Sequence, residues 1–178
     1  IVNSEHRNKK VFIEFDGVQK YCKIWLNGIF IDEHKGGFTS FSVDVTEALR
    51  WDQDNVLAVA VSNRRNDRFG GIPPMTAGNW NVYGGIYRDV RMVVKDKLYI
   101  PFQGAAQHEG GTRIKTLKLS REKAQVEVIT YVKNENDEMK TCELITSILD
   151  AEGCIIDCLK STQEIEPNQL FEFNHISR

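Results

Sequence analysis

The sequence predicts an all-β protein built from two sandwich domains in series. Three observations support this. Apolar and polar residues alternate with a period of two in nearly every segment, which is the pattern of half-buried strands. Clusters of Gly, Asn and Asp separate these short segments. No segment keeps a helical period over the length of a normal helix. Short strands spaced by turns are typical of a β-sandwich.

The clearest strand of the first half runs from Tyr21 to Leu26. Cys22, Ile24 and Leu26 share one face of it, and Tyr21, Lys23 and Trp25 share the other. Asn27-Gly28 follows directly and precedes another apolar run. Because both residues of this pair accept positive φ, the pattern predicts a tight hairpin at this point.

Three other segments of the first half are predicted to be strands, although their apolar residues alternate less regularly. Residues 56–61 are continuously apolar, which favours a strand buried on both faces. Residues 38–45 and 86–94 are each predicted to form one strand. Between these strands, Thr46 is expected to cap a single helical turn through its hydroxyl group.

The second half shows two long alternating segments and a shorter one near its end. On the first strand, Ala124, Val126, Val128, Thr130 and Val132 alternate with the residues between them, and on the next, Cys142, Leu144, Thr146 and Ile148 form an inward row. Leu170, Phe171 and Phe173 mark the last strand. The mixed stretch 95–111 is a plausible boundary between domains. We therefore predict one domain over residues 1–97 and a second over residues 98–178.

Charge and length exclude several classes of protein. The 178 residues include 23 Lys and Arg against 25 Asp and Glu, for a net charge of −2. This balance argues against nucleic acid or a membrane surface as a partner, since either would need a basic face. No apolar run approaches the roughly 20 residues of a membrane-spanning helix.

The sequence contains no pattern for a metal, a cofactor or a catalytic nucleophile. Cys22 is expected to be a free, buried thiol in its strand. Cys154 and Cys158 lack the spacing of a zinc site, and His34 and His108 are expected to be solvated loop residues. Phosphate-binding glycine motifs and the GxSxG motif are missing from the sequence. We expect no metal and no cofactor.

Residues 62–85 form the one long segment without a period. Loops of this length inside a compact domain are uncommon and are usually functional or disordered. This one contains Asn79-Trp80-Asn81-Val82-Tyr83. Aromatic rings match the apolar faces of a pyranose, amides match its hydroxyl groups, and Arg68 could add a donor. The alternative is that Trp80 and Tyr83 only anchor the loop to the sandwich.

Six motifs in order resemble the N-terminal sugar-binding domain of glycoside hydrolase family 2, which includes β-galactosidases, β-glucuronidases and β-mannosidases. The motifs are Phe15-Asp16-Gly17-Val18, Ile24-Trp25-Leu26-Asn27-Gly28, His34-Lys35-Gly36-Gly37-Phe38, Phe41-Ser42-Val43-Asp44-Val45-Thr46, Asn55-Val56-Leu57-Ala58-Val59 and Tyr83-Gly84-Gly85-Ile86-Tyr87-Arg88-Asp89-Val90. The resemblance covers roughly residues 10 to 95. The remainder is similar, more weakly, to the immunoglobulin-like domain that follows in that family.

This resemblance implies a truncated jelly-roll, like a galactose-binding domain and without its N-terminal strands, followed by an immunoglobulin-like sandwich. It also implies a retaining glycosidase whose two catalytic glutamates lie in a separate (β/α)8 barrel, so the chain would hold no catalytic residue. The barrel and a β-linked saccharide would be its partners. Where the family usually has an Asp reaching the sugar, this sequence has Asn79. Substrate-binding residues would be Asn79, Trp80, Tyr83 and Arg68.

Two other hypotheses remain open from the sequence. The chain could be a free-standing carbohydrate-binding module that never had a barrel. It could also be a purely structural pair of sandwiches in an enzyme whose active site does not touch it. The length of the parent gene distinguishes a free-standing binding module from a glycosidase fragment. The kinetic effect of substituting Asn79 in the whole enzyme distinguishes a purely structural pair of sandwiches from a fragment that contacts the substrate.

Overall fold

A computed structural model describes residues 1–63, 84–104 and 110–177 of the chain. These residues form fourteen β-strands and two short 3-10 turns, Ser4–His6 and Thr46–Ala48. The chain folds as two compact units, the first spanning Ile1–Asp96 and the second made mainly of the residues from Lys97 onward. The predicted all-β fold class of two sandwiches is therefore confirmed. The domain limits at residues 97 and 98 stay a prediction.

The described residues of the first unit form eight strands, most of them in two antiparallel sheets. The strands are β1 (Lys10–Phe15), β2 (Val18–Gln19), β3 (Tyr21–Leu26), β4 (Ile29–Lys35), β5 (Phe41–Asp44), β6 (Leu57–Ser62), β7 (Gly85–Ile86) and β8 (Val90–Lys95). One sheet has the order β5–β1–β8 and the other β4–β3–β6, while β2 pairs with β7 alone. The segment predicted as one strand over 86–94 is thus divided between β7 and β8.

The core of the first unit lies where the inward rows of these sheets meet. The buried residues that form it are Val11, Ile13, Phe15, Val18, Cys22, Ile24, Leu26, Phe41, Val43, Val45 and Ala48. The predicted inward row of β3 is confirmed, because Cys22, Ile24 and Leu26 are all buried. Phe15 and Phe41 stack with their ring centroids 4.8 Å apart. Cys22 is a free thiol, as predicted, and burial raises its pKa to about 11.

The Asn27-Gly28 hairpin is confirmed. Leu26 pairs with Ile29, and the two residues between them have φ values of 54° and 85°. The Asn27 side chain also ties this turn to other segments: its Nδ2 donates to the Ala48 carbonyl at 2.8 Å, and its Oδ1 accepts from the Val56 amide at 3.0 Å. The turn residue therefore has both a conformational and a packing role.

Two local predictions are wrong, each for a structural reason. The apolar run in β6 is not buried on both faces: Val59 packs on the core, but the alternate residues Ala58 and Ala60 point to the other face of the sheet and are exposed. Thr46 does not cap its helical turn. Its hydroxyl accepts from the Val11 amide at 2.9 Å and donates to Asp44 at 2.6 Å, so it connects β1 to the end of β5.

The second unit contains six strands. They are β9 (Leu98–Tyr99), β10 (Thr112–Leu119), β11 (Ala124–Asn134), β12 (Lys140–Leu149), β13 (Ile155–Ile165) and β14 (Leu170–Ile176). One sheet has the order β10–β11–β14, with β9 also paired to β11, and the hairpin of β12 and β13 forms the other. Val132, Ile165 and Phe173 form its buried core, with Cys142 and Leu144 packed against them.

Two buried polar side chains hold the second unit together. Asn134 is buried at the end of β11, where its Nδ2 donates to the carbonyls of Glu138 and Ile165 at 3.0 and 2.8 Å. His175 of β14 reaches the facing hairpin: its Nδ1 lies 2.9 Å from the Thr146 hydroxyl and its Nε2 lies 2.7 Å from the Ser161 hydroxyl. These contacts join the two sheets by polar as well as apolar groups.

Candidate functional site

The four predicted substrate-binding residues, Arg68, Asn79, Trp80 and Tyr83, lie outside the described residues. Their role in binding stays a prediction. The structure does describe β6, which precedes the segment that carries them, and β7, which follows it. These strands and the turns next to them define the candidate site.

The two ends of the segment that carries these residues lie side by side. The chain leaves β6 at Ser62 and re-enters at Gly84 and β7. A Cβ atom built on Gly84 would lie 2.7 Å from the amide nitrogen of the Asn63 side chain, so the two residues are neighbours and a larger residue at position 84 would require this side chain to shift. The two ends of the segment therefore lie at one point of the first unit. We call this point, with the neighbouring residues Lys20 and Gly36, the rim.

Tyr87 fixes the returning end of this segment. Its hydroxyl group donates to the Gly37 carbonyl at 2.6 Å, and its main-chain amide donates to the Gly17 carbonyl at 3.3 Å. A Cβ atom on Gly17 would come within 2.9 Å of the Tyr87 ring. Gly17 thus leaves room for the Tyr87 ring, and the Tyr87 hydroxyl group connects this point to the turn at Gly37.

A second set of contacts fixes the departing end. The Lys20 amide donates to the Ser62 carbonyl at 3.2 Å, and the Gly36 amide donates to the Lys20 carbonyl at 2.8 Å. Gly36 has a φ of 143°, which disfavours other residues. The side chain of Gln19 fills the space next to Gly37, where a Cβ atom would lie 1.9 Å from its Oε1. Main-chain hydrogen bonds therefore connect Ser62, Lys20 and Gly36 at this point, and a side chain at position 37 would require Gln19 to move.

His34 is not the solvated loop residue that the sequence suggested. It lies in β4 and stacks on Phe41 with the ring centroids 3.9 Å apart. Its Nε2 donates to the Gly36 carbonyl at 3.1 Å and lies 3.2 Å from the Thr39 hydroxyl. Burial lowers the pKa of His34, so the ring supports the 36–39 turn as a neutral group. His108 lies outside the described residues.

Tyr21 and Glu33 form a hydrogen-bonded pair next to Ser62, where the segment begins. Tyr21 is paired across the sheet with Lys35 on one side and Ser62 on the other. The Tyr21 hydroxyl group donates to Glu33 at 2.6 Å. Burial and this carboxylate raise the pKa of Tyr21 to about 12, while the same hydrogen bond and Lys35 lower the pKa of Glu33. Tyr21 is therefore a neutral donor over the physiological range.

Phe38 is a surface feature that the sequence analysis missed. It was assigned to a strand, but it lies outside β5 in the turn after Gly37, and 73% of its surface is exposed. Its neighbour Gly37 accepts the Tyr87 hydrogen bond. An exposed aromatic ring held by a rigid turn can contact a sugar face or another domain. The Gly36-Gly37 pair before it was the available signal.

Among the described residues, no cluster of three or more His, Cys, Asp or Glu side chains could hold a metal ion. Cys142 is partly buried, Cys154 and Cys158 are exposed, and all three are free thiols. No helix in the described ranges is long and apolar enough to cross a membrane.

Comparison with known proteins identifies the family. Residues 1–68 match the family described as glycosyl hydrolase 2 galactose-binding domain-like. Through this domain, the chain belongs to glycoside hydrolase family 2. The matched range covers β1 to β6 and the rim contacts made by Lys20, Gly36 and Ser62.

Curated relatives in family 2 extend the match into the second unit. A β-glucuronidase of Formosa agariphila is 33% identical over 159 residues, which are 85% of this chain and 16% of the relative. A β-galactosidase of Thermoanaerobacterium thermosulfurigenes is 30% identical over 155 residues, which are 85% of this chain and 20% of that protein. The chain thus spans a fifth or less of the length of these relatives.

A solved family 2 structure shows the same fold over nearly all of the chain. The crystal structure of Bacteroides uniformis β-glucuronidase is 29% identical, with a TM-score of 0.87, and the match covers 99% of this chain and 20% of that one. Both units of this chain therefore have counterparts in a glycosidase of known structure.

Proposed function

We propose that this chain is the non-catalytic N-terminal region of a retaining family 2 β-glycosidase of the β-galactosidase or β-glucuronidase type. It forms a scaffold for a (β/α)8 catalytic barrel in the same polypeptide. It also supplies one wall of the pocket for a terminal β-linked saccharide. The observation that carries this proposal is the match of both units to one fifth of longer glycosidases.

The rim geometry supports the wall function. The segment with Asn79, Trp80 and Tyr83 leaves and returns at one point, next to the turn that exposes Phe38. Tyr87 and Gly36 hold that point rigidly through main-chain contacts. A rigid base lets a long segment present side chains to a partner domain at low entropic cost.

The chemistry of the proposed enzyme needs two carboxyl groups about 5–5.5 Å apart, one as nucleophile and one as acid and base. We place both in the barrel. The residues of this chain would orient the sugar: the Asn79 amide would accept from and donate to ring hydroxyls, and Trp80 and Tyr83 would cover an apolar face. Arg68 would donate to an oxygen of the substrate.

Removal of the barrel should abolish hydrolysis. We expect the whole polypeptide to cleave a nitrophenyl β-galactoside or β-glucuronide, and the purified chain of residues 1–178 to release no nitrophenol above a blank prepared from the same host. Turnover by the chain itself, persisting after contaminating host enzymes are removed, would contradict the proposal.

Substitution of Asn79 tests the wall function in the whole enzyme. Asn79→Ala should lower kcat/KM by about 10-fold to 100-fold, as expected for the loss of one or two hydrogen bonds to a sugar hydroxyl. The matched control is Asn174→Ala, which removes an exposed amide from β14 and should leave kcat/KM within about twofold. Equal kinetics for both variants would instead favour a purely structural function.

A further inference from the structure

The hairpin of β10 and β11 carries a row of cations on one face, and we propose that this row binds a linear acidic polysaccharide. Such a ligand carries carboxylate or sulfate groups at regular intervals along a chain of sugars. The inference rests on the proposed function, because the expectation of a saccharide comes from a β-glycosidase. The row consists of Arg113, Lys115 and Lys118 of β10, and we call it the basic row.

Positive charge is concentrated in this hairpin. Residues 112–125 include five Lys and Arg, and Glu122 is their only acid, which gives a net charge of +4. The whole chain has a net charge of −2, so the remainder of the sequence is acidic. The overall balance of charge therefore does not report this basic surface.

A β-bulge places the two lysines of the row on one face. In a regular strand Lys115 and Lys118 would point to opposite faces, because side chains alternate. The register of β10 shifts after Thr116, so that Lys115 pairs with Glu127 and Lys118 pairs with Gln125. Glu127 and Gln125 are two residues apart on β11 and share a face. Both lysines therefore share that face as well.

Arg113 extends the row at its other end. Its partner Ile129 lies two residues from Glu127 on β11 and so belongs to the same face. The guanidinium group donates a hydrogen bond to the Tyr131 hydroxyl and lies 5.1 Å from the centroid of the Tyr131 ring, which anchors it. Since two strand residues span about 7 Å, neighbouring cations of the row are about 7 Å apart along the strand. A linear array of this kind suits a chain with repeated anionic groups.

The lysines of the hairpin are available to an external anion. In the ranges that the structure describes, the ammonium groups of Lys115, Lys118 and Lys123 make no ion pair and no hydrogen bond. All three side chains belong to exposed residues. Glu127 lies across from Lys115, but its Oε1 accepts a hydrogen bond from the Asn174 amide at 3.0 Å. The charge of the row is therefore not neutralised within the described part of the chain.

A groove lies at the end of the row, next to the turn of the hairpin. It has a volume of about 280 Å³ and is lined by Lys118, Leu119, Ser120, Lys123 and Gln125. The Ser120 hydroxyl accepts from the Lys123 amide at 3.0 Å, and the Ser120 amide donates to the Lys123 carbonyl at 2.8 Å, so the turn is fixed. Two ammonium groups at one groove can bind a single carboxylate or sulfate through charge-assisted hydrogen bonds.

The arrangement favours a saccharide chain over an acidic membrane. Ile114 and Leu119 are 72% and 78% exposed, but they pair with Val128 and Ala124 and lie on the face opposite to the basic row. Proteins that bind a membrane surface place cations and apolar side chains at the same interface. A membrane that contacted the row would leave both apolar side chains in water.

The same face also lacks the groups that bind single-stranded nucleic acid. Such binding depends on exposed aromatic rings on which bases stack. Among the described residues of β10, β11 and β14, the aromatic residue on this face is Tyr131, which is 7% exposed and hydrogen-bonded to Arg113 and Glu172. A saccharide chain needs no such stacking, because its acidic groups can pair with the cations directly.

Calorimetric titration of the 178-residue chain provides the first test. The ligands are a hyaluronan decasaccharide, which has carboxylates only, a chondroitin sulfate decasaccharide, which has both acidic groups, and a neutral dextran oligosaccharide of equal length. We expect at least one acidic ligand to bind at least 20-fold more tightly than dextran or glucuronic acid, since a monosaccharide reaches only one cation. This affinity should fall at least about 5-fold between 50 and 250 mM NaCl, because salt screens exposed charges.

The two acidic ligands distinguish the source of the anion. Binding of hyaluronan assigns the row to carboxylates, and binding of chondroitin sulfate alone assigns it to sulfate groups. Equal affinity for acidic and neutral oligosaccharides would overturn the inference. Tighter binding of single-stranded DNA, or of vesicles of anionic phospholipid, than of either acidic oligosaccharide would also overturn it.

Matched double substitutions provide the second test. Lys115→Gln with Lys118→Gln removes two charges from the row, and Lys9→Gln with Lys160→Gln removes two exposed charges elsewhere. We expect the first variant to bind the acidic ligand at least 10-fold more weakly and the second to change affinity less than twofold. Lys115→Arg with Lys118→Arg should retain binding. Equal losses in the two Gln variants would show that net charge, and not the row, determines binding.

These outcomes are distinguishable from failure of the proposed function. Hydrolysis of a nitrophenyl β-glycoside by the whole polypeptide reports on the enzyme, whereas titration of the chain reports on the basic row. An active polypeptide whose 178-residue chain does not prefer acidic oligosaccharides would refute this inference alone. Binding by the row in a polypeptide without activity would refute the proposed function alone.

Discussion

At the scale of single residues, Asn27 combines a backbone requirement with three hydrogen bonds. Its φ of 54° lies in the left-handed region, and its side chain contacts Ala48, Asn55 and Val56. Residues in this region other than glycine, asparagine and aspartate are strained. The Asn-Gly pair predicts the turn, but the contacts across the unit could not be inferred from it.

We expect Asn27→Ala to destabilise the chain by about 2–4 kcal/mol, since it loses these hydrogen bonds and places alanine at positive φ. The control is Asn168→Ala, at φ 60° in the exposed β13–β14 turn, which should cost only about 1 kcal/mol. Urea unfolding of both variants measures the difference. Equal losses would mean that the backbone conformation alone accounts for the effect.

Cys22 should make the stability of the chain sensitive to alkaline pH. Burial raises its pKa from 9.0 to about 11, so its contribution is present below pH 9 and is lost as the pH rises through 11. The unfolded thiol ionises first and stabilises the unfolded state by up to roughly 2 kcal/mol over this range.

Cys22→Ala should therefore flatten the fall in melting temperature between pH 8.5 and 10, measured before tyrosines titrate at about pH 10. The control, Cys154→Ala, removes an exposed thiol and should keep the slope of the original chain. If the two variants show the same slope, Cys22 is not the group responsible.

At the scale of elements, His175 links β14 to the hairpin of β12 and β13. Both of its ring nitrogens have hydroxyl partners, Thr146 and Ser161, on the facing strands. Strand alternation can indicate the face on which a side chain lies, but the hydrogen-bond partners of an inward histidine depend on how the two sheets pack. The polar link was therefore not predictable from the sequence.

His175→Leu should destabilise the second unit by about 2–4 kcal/mol, because two partly buried hydroxyl groups lose their partner. The neighbouring Asn174→Leu changes an exposed position on the opposite face and should stay within about 1 kcal/mol. Thermal unfolding followed by near-ultraviolet circular dichroism compares the two. A loss no larger than that of the control would show that the link is dispensable.

At the scale of the whole molecule, a chain without its barrel should bind sugar weakly. The proposed wall offers one exposed aromatic group and one or two amide hydrogen bonds, each of which contributes a net of about 0.5–1.5 kcal/mol. Association itself costs about 4 kcal/mol or more. The expected dissociation constant is therefore about millimolar or weaker, which corresponds to roughly −4 kcal/mol.

Titration of the 178-residue chain with galactose and with glucuronic acid, followed by tryptophan fluorescence or amide chemical shifts, measures this affinity. Mannitol, which lacks a pyranose ring, serves as the control ligand. A micromolar dissociation constant for either sugar would contradict the shared pocket and favour a free-standing carbohydrate-binding module.

The sequence by itself determined the features that depend on local chemistry. Alternation placed Cys22, Ile24 and Leu26 on one buried face, and Asn27-Gly28 specified the hairpin because few other pairs accept its dihedral angles. The order of six motifs was enough to assign the family that the comparisons then identified. The proposed sugar contacts at Asn79 and its neighbours also come from sequence chemistry, and they await the tests described above.

The tertiary structure alone decided which of these faces are covered. The run 56–61 is apolar throughout, yet β6 exposes Ala58 and Ala60, because the core packs only on the face that carries Val59. His34 of β4 is half-buried because Phe41 of β5, a strand of the other sheet, stacks on it. Periodicity reports the direction of a side chain relative to its own strand, whereas burial depends on what the rest of the fold places opposite that strand. Ile114 shows this difference, because it is the cross-strand partner of the buried Val128 and yet 72% of its surface is exposed.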